Sequence, residues 1–284
     1  MHIVRKSLIP ALLLTALFAC SALAAEEILL KTLEDSYAVE TGSDTLQVNI
    51  EQWHYAYRKH DLRFFIAHVM IADPAQMQTA FAGEKYTRDA AEATSAIAAR
   101  HDAVIAINGD YYNFKESRGV VIRNGVLYRD EAASRDLLLV MKDGSFRTLP
   151  RRTHQQGTAQ ALLDEGVMQC FTFGPTLVEN GAAAELPEKY AIATRDTQRE
   201  PRTAIGQVDN THYVLIVADG RRNGWSEKGM TLQELQQAFL EQGCAIAYNL
   251  DGGGSATLVA GGERINRSSG SRERDVSDII YFTK

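Results

Sequence analysis

The sequence predicts an α+β fold, a single domain built on a mixed, largely antiparallel β-sheet with a few packed helices. Apolar residues make up 45% of the 284 residues and charged residues 23%, which is typical of a globular core. Two helical segments each lead directly into a short apolar strand. Short apolar runs elsewhere are separated by turn dipeptides that favour β-hairpins, namely Asn124-Gly125, Asp143-Gly144, Asn180-Gly181, Asp209-Asn210 and Gly261-Gly262.

Residues 1–24 have the pattern of a secretory signal peptide. Arg5 and Lys6 precede a short apolar run, and Ala22-x-Ala24 provides a cleavage site. We therefore expect a periplasmic or secreted protein with no transmembrane segment after signal removal. The stretch ending in Cys20 also resembles a lipobox, so a lipoprotein anchored at Cys20 is the alternative.

Residues 25–100 are expected to form the N-terminal strands and first helix of the domain. Residues 62–72, LRFFIAHVMIA, are rich in aromatic and β-branched side chains, which favours a strand. The alanine-rich segment Arg88–Arg100 predicts a helix, because alanine has the highest helix propensity. The apolar run AVIAI follows this segment and predicts a buried strand.

Residues 101–284 are expected to form the core of the domain. Residues 151–165 predict a loop-plus-helix insertion, and residues 183–200 an irregular surface loop. A second helix is marked by Thr231 and Glu234, which have the spacing of a capping box, and by Gly243 as a stop. The strand CAIAYNL follows it, and DIIYF predicts the last strand.

The charge and the cysteines limit the classes of partner. A formal net charge of −6 disfavours nucleic-acid binding, which needs a surface that neutralises phosphates. Cys170 and Cys244 follow the signal segment, and they could form a disulfide or remain two buried thiols. The histidines and cysteines show no paired spacing of zinc ligands.

Polar residues gather where two apolar strands end. The first end, INGDYYN, carries Asn108, Gly109 and Asp110, and the second, YNLDGGGSATLV, carries Asn249 and Asp251. Sites are commonly built at such ends, because backbone amides and short polar side chains share one cleft. The two strand ends are therefore the predicted binding site.

Three glycines follow the acid of the second strand end. Gly252, Gly253 and Gly254 allow a sharp turn and close approach of a ligand, and their amides could form an anion-binding nest. Ser255 and Thr257 are two residues apart, so they would share one face of a strand. A plain hairpin turn explains the glycines equally well, and a P-loop does not fit because no Lys follows them.

Several blocks in order resemble the phosphodiester glycosidase family. The match extends from about Ala103 to the C-terminus and includes INGDYYN, TFGPT at residues 172–176, RTA at 202–204, ADGR at 218–221 and NLDGGGSATLV. Near the end, ERDVS at 273–277 resembles an E-R-P-V-S segment in the family. Asp275 stands where the family has proline, so the loop there is expected to differ.

The resemblance implies an exported hydrolase that cleaves a sugar-1-phosphodiester in envelope glycans or related compounds. Arg202, Arg221 and Arg274 could bind the phosphate, beside Thr203 of the RTA block. Glycoside cleavage needs a carboxylate near the anomeric carbon, and the candidates in order are Asp251, Asp110 and Asp219. The alternatives are a non-catalytic envelope glycan-binding protein and a phosphodiesterase that cuts the P–O bond.

The resemblance leaves the roles of several residues open. Asn108 and Asn249 could hold sugar hydroxyls or cap the two turns. Asp110 and Asp251 could instead hold a divalent cation, although no cofactor is certain and the metal is unknown. The aromatic candidates for a sugar-stacking surface are Tyr111, Tyr112, Phe114 and Trp225, of which the first three are more typical of core residues.

Overall fold

The computed structural model describes residues 3–5, 30–57, 60–87, 89–111, 118–132, 134–187, 198–221 and 228–284. Its strands are β1 (Ile3–Arg5), β2 (Leu30–Val39), β3 (Leu46–Tyr57), β4 (His60–Ile71), β5 (Met77–Phe81), β6 (Glu92–Ala93), β7 (Ile105–Asn108), β8 (Val120–Arg123), β9 (Val126–Asp130), β10 (Leu137–Met141), β11 (Phe146–Leu149), β12 (Val167–Phe171), β13 (Thr176–Glu179), β14 (Ala182–Ala183), β15 (Arg202–Asp209), β16 (His212–Ala218), β17 (Ile246–Asn249), β18 (Leu258–Ala260), β19 (Glu263–Arg264), β20 (Asp275–Val276) and β21 (Asp278–Phe282). The helices are α1 (Thr94–Arg100), α2 (Ala159–Asp164) and α3 (Leu232–Glu241), and 3-10 turns lie at Pro74–Gln76, Ala82–Glu84 and Gly253–Ser255.

The described strands form three larger sheets and one small one. The orders are β1-β2-β3-β4-β16-β15-β17-β13-β14, β11-β10-β12-β8-β9, β19-β18-β7-β21-β5 and β20-β6. Every paired strand in these residues is antiparallel. The predicted α+β class is therefore confirmed, with the expected sheet divided into several.

All five predicted turn dipeptides connect paired strands. Asn124 and Gly125 both have positive φ, as a tight hairpin turn between β8 and β9 requires. The other four turns connect β10 with β11, β13 with β14, β15 with β16 and β18 with β19.

Alternation along β4 places two cores on opposite faces of the largest sheet. Phe65 and Val69 face a core shared with β7, whereas Phe64 and Ile66 face the apolar side of α3. Residues 105–108 of β7 are buried throughout, as a strand covered on both faces should be. Apolar burial therefore holds β7, β17 and α3 in fixed positions around the predicted site.

The two predicted helices have different outcomes. The capping box of α3 is present: Thr231 Oγ1 accepts from the Glu234 amide at 3.1 Å, and Glu234 Oε2 accepts from the Thr231 amide at 2.9 Å. The first helix was predicted from residue 88, but α1 begins at Thr94. The preceding residues 92–93 pair with β20 instead, so tertiary pairing overrides alanine's helix propensity.

Other predicted features follow the sequence more closely. Helix α2 lies within the insertion at residues 151–165. The middle of the loop predicted at 183–200, residues 188–197, lies outside the described residues. Cys170 and Cys244 are free, buried thiols in separate apolar clusters. None of the described helices is both long and apolar enough to cross a membrane.

Candidate active site

The predicted site lies where β7 and β17, strands of two different sheets, end beside each other. A cleft of about 180 Å³ opens at this point. It is lined by Tyr111, Phe173, Glu200, Pro201, Arg202, Arg221, Asn249, Asp251, Gly252, Gly253 and Arg274. The cleft therefore includes one of the three predicted catalytic acids and all three predicted arginines.

Asn108 joins the two strand ends from below the cleft. Its Nδ2 donates to the main-chain oxygen of Asp251 at 2.6 Å. Its Oδ1 accepts from Thr203 Oγ1 at 2.7 Å and from the Thr257 amide at 3.1 Å. The three side chains are fully buried, so Asn108, Thr203 and Thr257 hold the cleft together and do not line it.

Asp251 presents a carboxylate at the cleft and is held there by two partners. Its Oδ2 accepts from Ser255 Oγ at 2.6 Å and from Arg274 Nη2 at 3.1 Å. Burial raises the pKa of Asp251, because desolvation disfavours its charged form, while Arg274 and Ser255 lower the pKa. Asp251 thus has an upshifted pKa, a fixed orientation and access to the cleft, which are the properties of a general base.

The glycine turn differs from the expected nest and from the expected strand. The Gly253 amide donates to the Pro201 carbonyl at 2.8 Å, so this amide is not free to bind an anion. Ser255 belongs to a 3-10 turn, and strand β18 begins only at Leu258. The prediction that Ser255 and Thr257 share a strand face is therefore wrong: Ser255 contacts Asp251, and the Thr257 amide contacts Asn108.

Two of the glycines are required by close approach of other chain segments. A Cβ added at Gly252 would lie 2.6 Å from the Pro201 carbonyl oxygen, and one at Gly254 2.9 Å from Arg274 Cδ. Backbone cannot move aside as easily as the end of a long side chain. A side chain should therefore be tolerated less well at Gly252 than at Gly254.

We expect Gly252→Ala to reduce activity strongly while leaving the fold intact. The added methyl would push the turn away from Pro201 and displace Asp251, and displacements of about 1 Å at catalytic groups can cost about 100-fold in rate. Sugar release and thermal unfolding should be measured together. Gly262→Ala is the control, since nothing lies within 4 Å of an added Cβ and its φ of +82° gives only local strain. Full activity in Gly252→Ala would contradict the tight-turn interpretation.

The three arginines give the cleft its positive charge. Arg202 is buried, and its described hydrogen bonds go to the carbonyl oxygens of Met230 at 3.0 Å and Gln198 at 2.8 Å. Burial lowers the pKa of Arg202 to about 10, which still leaves it charged at neutral pH. Arg221 pairs with Glu200, and both it and Arg274 are about half exposed.

Asp110 is buried beside the cleft and not among its lining residues. Its Oδ2 accepts from the Thr172 amide at 2.7 Å and its Oδ1 from the Tyr111 amide at 3.0 Å. Its own amide donates to Asp278, which is bonded to the fully buried Arg123. These contacts give Asp110 a structural role in supporting the first strand end.

Gly109 packs in the same place. Its amide donates to the Asp278 carbonyl at 2.9 Å, and an added Cβ would overlap the Asp278 carboxylate. Gly109 therefore lets the two chain segments approach and supports the cleft from behind. The described residues contain no group of three or more His, Cys, Asp or Glu side chains that could hold a metal ion.

Asp219 lies apart from the cleft lining. Its Oδ2 accepts two hydrogen bonds from Arg63, at 2.9 and 2.6 Å, and its Oδ1 accepts from the Arg267 amide at 2.9 Å. Burial raises the pKa of Asp219 and Arg63 opposes that rise. The structure gives this carboxylate an ion-pair role between β4 and the segment after β19.

Sequence reasoning missed three lining residues: Phe173, Glu200 and Pro201. Glu200 precedes Arg202 in a segment expected to be irregular, and only its pairing with Met230 brings it to the cleft. Phe173 belongs to the TFGPT block, which was a usable signal. Tyr111 lines the cleft, although the sequence favoured a core position for it over a sugar-stacking role, and Tyr112, Phe114 and Trp225 lie outside the described residues.

Asn249 lines the cleft and has one unsatisfied acceptor. Its Nδ2 donates to the Gly174 carbonyl at 2.8 Å, which fixes the orientation of the amide. Its Oδ1 is buried and has no hydrogen-bond partner. Leaving such an atom unpaired is costly, so a ligand that donates a hydrogen bond at this position is favoured.

The fold and cleft together define an antiparallel α+β domain with three arginines beside a buried carboxylate in one cleft. The phosphodiester glycosidase family model matches residues 101–283. The chain therefore belongs to the phosphodiester glycosidase family.

Individual relatives agree with this membership. The SPbeta prophage-derived uncharacterized protein YomE of Bacillus subtilis is 32% identical over 199 residues, which cover 68% of this chain and 30% of YomE. Human N-acetylglucosamine-1-phosphodiester alpha-N-acetylglucosaminidase is 44% identical over 61 residues, covering 22% of this chain and 11% of the human protein. The chain thus matches less than a third of the length of either relative.

A solved structure shares the fold. The zebrafish N-acetylglucosamine-1-phosphodiester alpha-N-acetylglucosaminidase catalytic domain, auto-inhibited by its pro-peptide, superposes with a TM-score of 0.70 at 19% identity. The match covers 90% of this chain and 88% of that domain. The architecture extends over most of the chain, including the strands that precede the family match.

Proposed function

We propose that this protein is an exported hydrolase that cleaves sugar-1-phosphodiesters in envelope glycans or related compounds. Family membership supports a glycosidase-type hydrolase. The observation that carries the finer proposal is the convergence of three arginines and the carboxylate of Asp251 on one cleft. The sequence of residues 1–24 supports the exported location, and cell fractionation tests it.

The arginines are suited to the phosphate of the substrate. Guanidinium groups bind phosphate oxygens through paired, charge-assisted hydrogen bonds. Arg202 contributes a buried charge whose described hydrogen bonds go to neutral carbonyl oxygens, and the charge of Glu200 also acts on it. An anion in the cleft would add a charged partner to this guanidinium. Arg221 and Arg274 are exposed enough to reorient around the ligand.

Asp251 is suited to the sugar end of the same bond. In the proposed reaction, a water oxygen bonds to the anomeric carbon and the bond from that carbon to the phosphate oxygen breaks. The bonding electrons leave with the phosphomonoester, and Asp251 accepts the proton of the water. The phosphate is a good leaving group, so one carboxylate is enough for the proposed reaction.

Asn249 and the aromatic rings of Tyr111 and Phe173 are suited to the sugar of the substrate. The unpaired Oδ1 of Asn249 favours a donor such as a sugar hydroxyl or an acetamido N–H. Tyr111 and Phe173 line the cleft with apolar ring surface, which can pack against the C–H face of a pyranose. Both features select a sugar phosphodiester over a simple alkyl phosphodiester.

The proposal is tested by incubating the purified protein with UDP-N-acetylglucosamine and a panel of sugar-1-phosphodiesters. Free sugar should be released, and running the reaction in oxygen-18 water should place the heavy atom in the sugar. Heavy label in the phosphate would instead identify a phosphodiesterase that cuts the P–O bond. Sugar binding without release by any substrate of the panel would favour the glycan-binding alternative.

The acidic limb of the pH–activity profile should depend on Arg274. A base with an upshifted pKa loses activity as pH falls through that pKa, so the limb should lie above the usual range of an aspartate. Arg274 lowers the pKa of Asp251, so Arg274→Gln should move the limb to higher pH. Arg221→Gln is the matched control, because it removes a cleft arginine that pairs with Glu200. An unmoved limb in Arg274→Gln would contradict the assignment of Asp251 as the base.

A further inference from the structure

Two histidines meet on the face of the largest sheet that carries α3. His68 Nδ1 and His212 Nε2 are 3.1 Å apart, on the adjacent strands β4 and β16. Their rings are tilted by 44° with centroids 5.3 Å apart. With metal–nitrogen bonds of about 2.0–2.1 Å, this separation gives an N–metal–N angle of roughly 100°, near the tetrahedral value. The two rings are joined by a hydrogen bond at this distance, and the same separation suits two ligands of one metal ion.

Met70 stands next to this pair. It is directly opposite His212 in the strand register, and it shares the face of His68 because the two are two residues apart on β4. Its side chain is 40% exposed, which is unusual for a large apolar residue and leaves it accessible to a ligand. The register thus places Met70 beside His212 and on the same face of the sheet as both histidines.

The surroundings favour a cation. Gln242, the C-cap of α3, lies near the His68 ring, and the C-terminal end of a ten-residue helix carries partial negative charge. The charges of Glu51 and Asp209 also act on His68 and His212 respectively.

We propose that His68, His212 and Met70 form a binding site for a soft transition-metal ion, with Cu(I) as the preferred ion. Thioether ligands select Cu(I), and imidazole binds copper well. The site is about 20 Å along β16 from the cleft end of that strand, at about 3.3 Å per residue, so it is independent of the proposed hydrolysis.

The test is an anaerobic titration of the full chain with Cu(I) against a chromophoric chelator, with Zn²⁺ titrated in parallel. We expect one tightly bound Cu(I) in the wild-type chain. His212→Gln and His68→Gln should weaken binding by more than the roughly 10–100-fold that loss of an outer-shell partner costs. His101→Gln, which removes a histidine paired with Glu84 elsewhere on the surface, is the matched control and should bind as wild type.

X-ray absorption of the copper-loaded chain tests the third ligand. We expect nitrogen scatterers with one sulfur scatterer, and the sulfur should disappear in Met70→Leu. Equal Cu(I) binding by wild type and His212→Gln would overturn the site. Tighter binding of Zn²⁺ than of Cu(I), or an unchanged spectrum in Met70→Leu, would overturn its assignment to a soft ion.

Discussion

Replacing Asp251 with Asn should lower the rate of sugar release by about 100- to 10,000-fold, the range supplied by a positioned general base. Asn has nearly the same shape and can still accept from Ser255 and Arg274, which now bond the carboxylate. The loss should therefore appear in kcat, with the melting temperature close to wild type. Initial rates over a range of substrate concentrations, with a thermal melt of the same sample, provide the measurement.

Asp219→Asn is the comparison that separates catalysis from folding. Asp219 is also a buried aspartate with a raised pKa, but its carboxylate is bonded to Arg63 and not exposed in the cleft. Weakening that pair should cost about 1.5–3 kcal/mol of unfolding free energy, the range for hydrogen bonds to charged groups. Folded Asp219→Asn should keep its turnover. If Asp219→Asn loses turnover as severely as Asp251→Asn, Asp219 would again be a candidate for the catalytic carboxylate.

The second large effect concerns the ion pair beneath the cleft. Arg123 and Asp278 are both buried, with Arg123 Nη2 and Nε each 2.7 Å from Asp278 Oδ2. Removing one partner of a buried pair costs about 3–5 kcal/mol, because the other charge is left without compensation. At 2–4 °C per kcal/mol, Arg123→Met should lower the melting temperature by about 6–20 °C at pH 8.

The stability of Arg123→Met should depend on pH through the pKa of Asp278. Burial raises the pKa of Asp278 to about 6, and Arg123 is the main group that opposes the rise. Without Arg123 the folded-state pKa should rise further above the unfolded value. The stability contributed by protonated Asp278 is fully present below its pKa in the unfolded state, and it is lost as pH rises through its pKa in the folded state. Arg123→Met should therefore be more stable at pH 5 than at pH 8.

The exposed pair Arg147–Glu165 is the control for the buried one. Its two charged groups lie 2.6 Å apart with side chains 42% and 50% exposed. Arg147→Met should change the unfolding free energy by no more than about 1 kcal/mol, as is usual for surface pairs. Equal destabilisation by Arg123→Met and Arg147→Met would contradict the importance of burial.

Local signals allowed much of the fold to be predicted from the sequence. Asn124-Gly125 marked a hairpin because both residues can adopt positive φ, and Thr231 with Glu234 marked the start of α3 through hydrogen bonds three residues apart. The start of α1 was wrong because the strand pair β6–β20 involves residues about 180 positions apart, which propensity does not register.

The site was predictable in its residues but not in its division of roles. Asp251, Arg202 and Asn249 line the cleft, whereas Asn108, Thr203 and Asp110 support it from beneath. The lining residues and the supporting residues have similar polar side chains, so the sequence does not distinguish them. The packing of the two sheets decides which of them line the cleft. Glu200 was missed because its position depends on a pairing with Met230 thirty residues away.

The link made by Asn108 has a consequence for how the protein folds. Its three partners lie 95, 143 and 149 residues away along the chain. Contacts of such long sequence separation require closure of large loops, which slows their formation. Enzymatic competence should therefore appear with the slowest phase of refolding, after the local hairpins have already regained their secondary structure.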